Sequence, residues 1–212
     1  MSLSFTISIL LVLAAYLLGS IPTGYMVGRY FKGIDIREHG SGSTGATNVL
    51  RSVGKYAAIA VLLIDLLKGS LALATVNFAY TYLPDDLLPA DWHSWLITGA
   101  ALGAIIGHSK SIWLNFTGGK SVATTLGVLF VMNPAVALGT LGTFAAILTI
   151  SRIVSLSSIC GAIAVNILML VLNQPTAFSL FAVLAGIYVI VRHRTNIQRL
   201  VAGSEPKIGQ AL

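Results

Sequence analysis

Long apolar runs separated by short polar breaks form the dominant pattern along this chain. The runs cover about 4–30, 56–80, 94–107, 121–132, 135–150 and 177–191, and a further run follows the break at 151–158 and continues to about 172. A helix needs about 20 apolar residues to cross a hydrocarbon core about 30 Å thick, and neighbouring helices can support a shorter one. The pattern therefore predicts an all-α polytopic membrane protein with seven transmembrane helices, in a single membrane-embedded domain over residues 1–212.

Composition supports this fold class. The chain is 56% hydrophobic and only 9% charged, which excludes an ordinary soluble globular protein. The formal net charge of +6 could suggest nucleic-acid binding, but the positions of the charges indicate a membrane protein with no nucleic-acid partner. Cys160 is alone within an apolar run and cannot form an intrachain disulfide. No obligate protein partner is evident.

The distribution of basic residues predicts the orientation in the lipid bilayer. Of the 13 Lys and Arg residues, all except Lys68 lie in or beside the breaks at 32–55, 108–120 and 151–157 or in the C-terminal tail. The loops expected on the other side carry Asp85, Asp86 and Asp91 and no Lys or Arg. Basic loops are retained on the cytoplasmic side of a membrane. We therefore expect the N-terminus outside, in the periplasm, and the C-terminus in the cytoplasm.

Two features inside the apolar runs need an explanation. Pro22 removes a backbone donor from the first run, so we expect the helix to kink or break there. Asp65 and Lys68 are three residues apart and share one face of a helix. A lone charge at the bilayer centre costs about 2.5–3.5 kcal/mol, which favours a structural ion pair between them, with direct substrate contact as the alternative.

Three glycines at four-residue spacing mark the third run. Gly99, Gly103 and Gly107 lie on one helix face and would let another helix approach closely. The partner helix could belong to this chain or to a second copy.

The polar segment Glu38–Arg51 is the first candidate site. Its small, hydroxylic, amide and basic residues are Ser41, Gly42, Ser43, Gly45, Thr47, Asn48 and Arg51. Glycines let backbone amides approach an oxyanion, and a guanidinium matches the geometry of phosphate. The segment is therefore interpreted as a phosphate-binding loop, while a flexible Gly/Ser linker between two helices is the simpler alternative.

Similar chemistry recurs at later breaks on the same predicted side. Lys120 follows a glycine pair, Ser155 and Ser158 lie in the break near 151–158, and His193 and Asn196 lie three apart at a probable helix start. Gly119-Lys120-Ser121 has the ending of a nucleotide-binding P-loop, but Leu114 occupies the position of the first required glycine. Carboxylates are few on this side, so we expect neither a metal site nor a cofactor.

In this order and between these apolar runs, the polar motifs resemble those of the bacterial acyl-phosphate:glycerol-3-phosphate acyltransferase family (PlsY). The motifs that carry the resemblance are Gly19-Ser-Ile-Pro-Thr-Gly24, Gly40-Ser-Gly-Ser-Thr-Gly-Ala-Thr-Asn-Val-Leu-Arg51, Asp65-Leu-Leu-Lys-Gly69, Gly107-His108, Gly118-Gly-Lys-Ser-Val-Ala-Thr124 and Arg192-His-Arg-Thr-Asn-Ile-Gln-Arg199. The family pattern usually has Asn at the position of Ser43 and Gly at that of Ser121. The second departure puts the backbone geometry beside Lys120 in question.

The resemblance implies an acyltransferase of the cell inner membrane whose active site faces the cytoplasm. It would move a fatty acyl group from acyl phosphate to the sn-1 hydroxyl of glycerol 3-phosphate, giving lysophosphatidic acid and inorganic phosphate. This is the first acylation of phospholipid synthesis, and the donor replaces acyl-CoA and acyl carrier protein.

The candidate residues fit this chemistry. Both substrates carry phosphate, so Ser41, Thr47, Arg51 and Lys120 are expected to bind it, together with the amides around Gly42–Gly45. Ser155 or Ser158 would add a hydroxyl, and the spacing does not decide between them. His193 and Asn196 would orient glycerol 3-phosphate or polarise the carbonyl. The proton acceptor is either His193 or an oxygen of the acyl phosphate.

Two other classes are less consistent with the sequence. A transporter for a phosphate-bearing solute predicts inverted repeats and polar groups near the membrane midplane, and the polar motifs lie instead on one predicted side. A metal-dependent phosphotransferase needs an array of aspartates that the chain lacks.

Overall fold

The computed structural model describes residues 3–210, and its architecture there is helical, with one isolated bridge between Ser111 and Thr117 as the only β-type pairing. The α-helices of the described residues are α1 Leu3–Ser20, α2 Thr23–Lys32, α3 Ala46–Ser52, α4 Lys55–Tyr82, α5 His93–Ser109, α6 Val122–Met132, α7 Pro134–Ser151, α8 Val154–Val171, α9 Thr176–Arg192 and α10 Arg194–Val201. The predicted all-α class is confirmed for these residues.

Most helices coincide with the predicted apolar runs. α4, α5, α6, α7 and α9 begin and end within about two residues of them. α8 differs, because it begins at Val154, inside the segment predicted to be a polar break. The hydroxyls of Ser157 and Ser158 donate to the carbonyls of Ile153 and Val154, each four residues earlier. These serines are satisfied within the helix, so their polarity does not end it.

Length and hydropathy identify several candidate membrane spans. Four helical runs qualify, Leu3–Lys32, Lys55–Tyr82, Pro134–Ser151 and Val154–Val171, and a fifth does if α9 and α10, which meet at a 60° bend, form one span. α5 and α6 are shorter than these. The protein is therefore an integral membrane protein by its helices, while the seven-span count and the orientation stay predictions.

The first apolar run is broken where Pro22 predicted a break. α1 ends at Ser20 and α2 begins at Thr23. The ammonium of Lys68, from α4, donates to the carbonyl of Ile21 in the break at 2.9 Å and lies 2.8 Å from Asp65 Oδ1. Both charged side chains are buried, so the pair neutralises itself and also satisfies a carbonyl released by the break. Removing one partner of such a buried pair costs about 3–5 kcal/mol.

Glycines allow the helices around the core to approach closely. Gly99, Gly103 and Gly107 of α5 lie against the segment Val12–Ser20 of α1, so this face packs within the chain. At the contact between α4 and α6, a Cβ at Gly127 of α6 would overlap the carbonyl oxygen of Leu66 in α4. The resulting core is made mainly of small and medium-sized side chains, including Ala72, Leu73, Ala100, Ala104, Val128 and Phe181.

Hydrogen bonds bring the polar breaks together at one end of this bundle. Ser111 Oγ, after α5, donates to the carbonyl of Ser20 at the end of α1 at 2.6 Å. Lys120 Nζ, before α6, donates to Asn196 Oδ1 in α10 at 2.5 Å. Segments that are far apart in the sequence therefore form one continuous polar region.

The α4–α6 contact gives a stability prediction. We expect Gly127→Ala to destabilise the protein, because the added methyl group would push α6 away from the backbone of α4. Gly142→Ala is the matched control, since a Cβ at this helical glycine of α7 meets no atom within 4 Å. Thermal unfolding in detergent should show a lower Tm for Gly127→Ala and an equal or higher Tm for Gly142→Ala. Equal Tm values for the two variants would contradict this account of the interface.

Candidate active site

Asn48 organises the loop between α2 and α3. Its side chain is buried, and Nδ2 donates to the carbonyls of Ile36, His39 and Ser43 at 3.0, 3.0 and 2.8 Å. Its Oδ1 accepts from the amide of Ser41 at 2.9 Å. Because both polar atoms are already bonded, Asn48 shapes the loop, and the predicted contact with phosphate would require these bonds to break.

The rest of this loop leaves several donors available. Ser41 and Gly42 are exposed, and Gly42 has φ +68°, which favours glycine. Ser43 Oγ accepts from the amide of Gly45 at 3.3 Å. Thr47 is half-buried, and its hydroxyl forms no hydrogen bond within residues 3–210. The hydroxyls of Ser41 and Thr47 are therefore free, and that of Ser43 accepts one bond and can still donate, as the phosphate-binding interpretation requires.

Arg51 lies near the C-terminal end of α3. Its guanidinium forms no ion pair and no hydrogen bond within residues 3–210, and it is close enough to Lys120 for its charge to lower the Lys120 pKa. The structure thus brings together two cations separated by 69 positions in the sequence.

The segment before Lys120 is fixed from two directions. The amide of Gly119 donates to the carbonyl of His108 at 3.1 Å, and Ser109 Oγ donates to the carbonyl of Gly119 at 3.0 Å. Arg192 Nη2, at the end of α9, donates to the carbonyls of Gly118 and Gly119 at 3.3 and 3.0 Å. Arg192 was not among the predicted site residues. Its bonds hold the Lys120 segment against α9.

Ser121 adopts the left-handed conformation that the usual glycine would favour, with φ +63°. This conformation costs a non-glycine residue about 1–2 kcal/mol. Its buried hydroxyl lies 2.6 Å from the Ser109 hydroxyl and donates to the carbonyl of Ile105 at 2.6 Å. Hydrogen bonds contribute about 1 kcal/mol each, so these contacts offset the strain, and the backbone beside Lys120 keeps its turn.

His108 connects the buried ion pair of α4 to this segment. Its Nδ1 lies 3.5 Å from Asp65 Oδ1, and a Cβ at Gly119 would overlap its Nε2 atom. The imidazole is buried between the Asp65 carboxylate and the backbone that carries Lys120. His108 therefore packs between the buried ion pair and the Lys120 segment and supports the position of that segment.

Asn196, Glu205 and Ser155 continue the contacts of Lys120. Asn196 Nδ2 donates to Glu205 Oε1 at 2.6 Å, and Ser155 Oγ donates to the same oxygen at 2.7 Å. Arg199 Nε donates to Glu205 Oε2 at 2.7 Å. Of the two candidate serines, Ser155 thus belongs to the network of Asn196, whereas the Ser158 hydroxyl is used within α8. Glu205 was not predicted as a site residue, and no periodicity or motif could place a tail carboxylate here.

Burial dominates the electrostatics of Lys120. The pKa of Lys120 is lowered from 10.5 to about 8, chiefly by burial; the nearby charge of Glu205 opposes this shift, and the charges of Arg199, Arg192 and Arg51 add to it. The charges of three arginines and one glutamate therefore act on Lys120, and Arg199 also pairs directly with Glu205. An anion placed here would be attracted by all four cations, and it would favour the charged form of Lys120.

His193 lies between α9 and α10, beside this cluster. Its Nδ1 is 2.7 Å from the carbonyl of Val189, which can only accept, so Nδ1 carries the proton and Nε2 has a free lone pair. The pKa of His193 is lowered from 6.5 to about 4, chiefly by burial; the hydrogen bond to Val189 and the charge of Glu205 oppose this shift, and the charges of Lys120 and Arg192 add to it. The imidazole is therefore neutral near pH 7. Within residues 3–210 no group of three or more His, Cys, Asp or Glu could hold a metal ion.

Known proteins are similar to nearly the whole chain. A family model described as glycerol-3-phosphate acyltransferase matches residues 9–203. A glycerol-3-phosphate acyltransferase of Rippkaea orientalis is 66% identical over 210 residues, which cover 99% of this chain and 97% of that protein. One from a Synechocystis species is 57% identical over 212 residues, which cover 99% of this chain and 95% of that protein.

Two crystal structures are similar to the whole fold. Both are of PlsY (YgiH), an integral membrane glycerol 3-phosphate acyltransferase. The glycerol 3-phosphate form has a TM-score of 0.85 at 37% identity and covers 95% of this chain and 96% of that one. The lysophosphatidic acid form has a TM-score of 0.82 at 37% identity, with 95% of each chain covered.

The Glu205 contacts give a second prediction. Glu205→Gln should destabilise the protein by about 1–3 kcal/mol, because a neutral amide cannot accept from Asn196, Ser155 and Arg199 as a carboxylate does. The pKa of Glu205 is lowered from 4.5 when folded, so its stabilisation is complete above that value and disappears as the pH falls through the lower folded pKa.

Urea unfolding in detergent at pH 7 and at low pH tests this prediction. The matched control is Glu38→Gln, since Glu38 forms no side-chain hydrogen bond or ion pair within residues 3–210. A loss for Glu205→Gln that equals that of Glu38→Gln, or that does not shrink at low pH, would contradict the role of the carboxylate.

Proposed function

Since the chain belongs to the glycerol-3-phosphate acyltransferase family, we propose that it uses acyl phosphate as its donor. The acyl group would pass to the sn-1 hydroxyl of glycerol 3-phosphate, and the products would be lysophosphatidic acid and inorganic phosphate. No acyl-CoA, acyl carrier protein, metal ion or cofactor takes part in the proposed reaction.

One observation carries the proposal: the uncompensated positive charge around Lys120. Arg51, Arg192 and Arg199 all act on this ammonium, and Glu205 is the one carboxylate that opposes them. Glu205 is already bonded to Arg199, while Arg51 has no counterion within residues 3–210. Two phosphate-bearing substrates would supply the missing negative charge. A donor that carries phosphate suits this cluster better than a thioester, whose reacting end is neutral.

The mechanism is a direct transfer in a preorganised cationic site. The sn-1 hydroxyl oxygen attacks the acyl carbon and forms the new ester bond, and the bond from that carbon to the phosphate oxygen breaks. Lys120 and Arg51 stabilise the negative charge that develops on the carbonyl oxygen and on the departing phosphate. Ser41 and Thr47 orient a phosphate, and Asn196 orients Lys120. The predicted role for the amides of Gly42 and Gly45 is not kept, because these amides already donate to the carbonyl of His39 and to Ser43 Oγ. Acyl phosphate is already activated, so no covalent enzyme intermediate is needed.

The hydroxyl proton has two candidate acceptors. His193 Nε2 is unprotonated, but the pKa of His193 near 4 makes the free imidazole a weak base. A phosphate oxygen of the donor is the alternative, and it becomes more basic as the bond to the acyl carbon breaks and inorganic phosphate departs. This comparison favours the substrate-assisted route, with His193 as an acceptor of a hydrogen bond that orients the hydroxyl.

The proposed topology follows from the same reaction. We infer seven membrane spans in the cell inner membrane, with the N-terminus periplasmic and the C-terminus cytoplasmic. The polar breaks that meet around Lys120 also carry nearly all basic residues, which supports a cytoplasmic active site. Glycerol 3-phosphate would then enter from the cytoplasm, and the acyl chains of donor and product would remain in the bilayer.

A direct assay tests the reaction and its cationic site. Purified protein with acyl phosphate and glycerol 3-phosphate should release inorganic phosphate in the presence of a metal chelator. We expect Lys120→Ala and Arg51→Ala to reduce the rate by at least about 100-fold, as the loss of a charge-stabilising donor does elsewhere. Lys110→Ala is the control, since this exposed lysine has no side-chain bond within residues 3–210. No phosphate release by the wild type, or near-normal rates for the two site variants, would contradict the proposal.

The charge of Lys120 predicts the basic limb of the pH profile. Its pKa of about 8 means that the free enzyme loses the ammonium as the pH rises through this value. Because kcat/KM reports groups of the free enzyme, kcat/KM for glycerol 3-phosphate should fall above about pH 8. In Lys120→Arg this limb should move to much higher pH, since a guanidinium stays charged, whatever the absolute rate. An unchanged limb would assign the titration to another group.

A further inference from the structure

A cavity lies beside the cluster of cations around Lys120. It has a volume of about 560 Å³ and is lined by Lys32 at the end of α2, by His39 and Gly40 of the following loop, by Arg51 and Ser52 at the end of α3, and by Gln210 of the C-terminal tail. Ligand pockets commonly measure about 300–1,000 Å³, so a small polar metabolite fits. Nothing in the proposed reaction so far uses Lys32, His39 or Gln210.

The cations of this cavity lack counterions. Lys32 and Arg51 form no ion pair and no side-chain hydrogen bond within residues 3–210. By contrast, Arg37 of the same loop lies 2.6 Å from the carboxylate of Asp35. No Asp or Glu lines the cavity. Its lining therefore attracts anions, and His39 can add a hydrogen-bond donor.

Hydrogen bonds of Asn48 fix the loop that forms one wall of the cavity. Asn48 bonds the carbonyl of His39 and the amide of Ser41 on either side of Gly40. Gly40 has φ +56°, and a Cβ there would overlap Asn48 Oδ1, so only glycine allows this close approach. The loop that presents His39 is thus preorganised, which lowers the entropic cost of binding.

Arg51 connects this cavity to the reaction centre. Its guanidinium lines the cavity and also acts on the Lys120 ammonium. A phosphate bound between Lys32 and Arg51 would therefore be adjacent to the cationic cluster. Acyl phosphate is an improbable occupant, because its chain needs apolar walls, and Ile34 is the one large apolar side chain in the lining.

We propose that the Lys32–His39–Arg51 cavity is a receiving site for a water-borne phosphate dianion, which binds glycerol 3-phosphate before it reaches Lys120. This rests on the proposed function for the identity of the ligand. Inorganic phosphate, the other water-borne dianion of the reaction, shares the same chemistry, and the test separates the two.

The test compares Lys32→Gln with Lys55→Gln in steady-state kinetics. Lys55 is an exposed lysine that lies on the same side and does not line the cavity, so it controls for a general change in surface charge. For Lys32→Gln we expect KM for glycerol 3-phosphate to rise about threefold or more, while kcat and KM for acyl phosphate stay within twofold. The difference from wild type should shrink in high salt, because the charge is exposed.

Each other outcome overturns the proposal. An unchanged KM for glycerol 3-phosphate, or an equal rise in Lys55→Gln, would show that the cavity does not receive the acceptor. Weaker inhibition by inorganic phosphate with an unchanged KM would assign the cavity to the product. Calorimetry of glycerol 3-phosphate binding in the absence of donor keeps this test separate from the proposed function. Even if the wild-type protein transferred no acyl group from acyl phosphate, the Lys32→Gln variant should bind glycerol 3-phosphate more weakly than the wild type does.

Discussion

Electrostatic repulsion among the cations around Lys120 is the constraint on which this site depends. Three arginines whose charges act on one half-buried lysine repel it and one another, so the fold must hold them in place. Glu205 compensates for part of the charge through Asn196 and Arg199, and Arg192 is held by two backbone carbonyls. The remaining positive charge has no counterion within residues 3–210. A phosphate bound as proposed would neutralise it, which would couple substrate affinity to the stability of the cluster.

The helical bundle supplies the rigidity that holds these charges in place. Glycines at the α1–α5 and α4–α6 contacts bring the backbones together, so the ends of the helices cannot move independently. The Asp65–Lys68 pair adds a polar contact inside the bundle, because Lys68 also bonds the carbonyl of Ile21 where α1 breaks. His108 contacts both Asp65 of this pair and Gly119, and so connects the buried pair to the backbone beside Lys120. The same elements thus stabilise the fold and position Lys120, for which a catalytic role is proposed.

Local signals in the sequence predicted much of this structure. The apolar runs located most helices, Pro22 located the break after α1, and the spacing of Asp65 and Lys68 indicated the pair that the structure contains. The start of α8 was missed, because serines that bond their own helix are indistinguishable in sequence from serines of a loop.

The site shows a similar division. Lys120, Asn196 and Arg51 were expected together on the basis of chemistry and predicted sidedness, and the structure places them in one region. Asn48 was predicted to bind phosphate with the rest of its loop, yet its side chain forms hydrogen bonds with the backbone of that loop. Glu205 and Arg192 act through contacts between distant segments, which no local pattern encodes. Long-range pairing among polar groups therefore marks the limit of what this sequence predicts.

The position of the site at one end of the bundle follows from the two substrates it is proposed to join. One is soluble in water, and the other keeps its acyl chain in lipid, so the reacting atoms must meet where the two phases adjoin. A cavity lined by Lys32 and Arg51 opens from the polar side, whereas the faces of α8 and α9 expose large apolar side chains such as Ile163, Ile167 and Ile187. Lys120 lies between these environments, and its partial burial lowers its pKa and strengthens its attraction to phosphate for the same physical reason, the reduced screening by water.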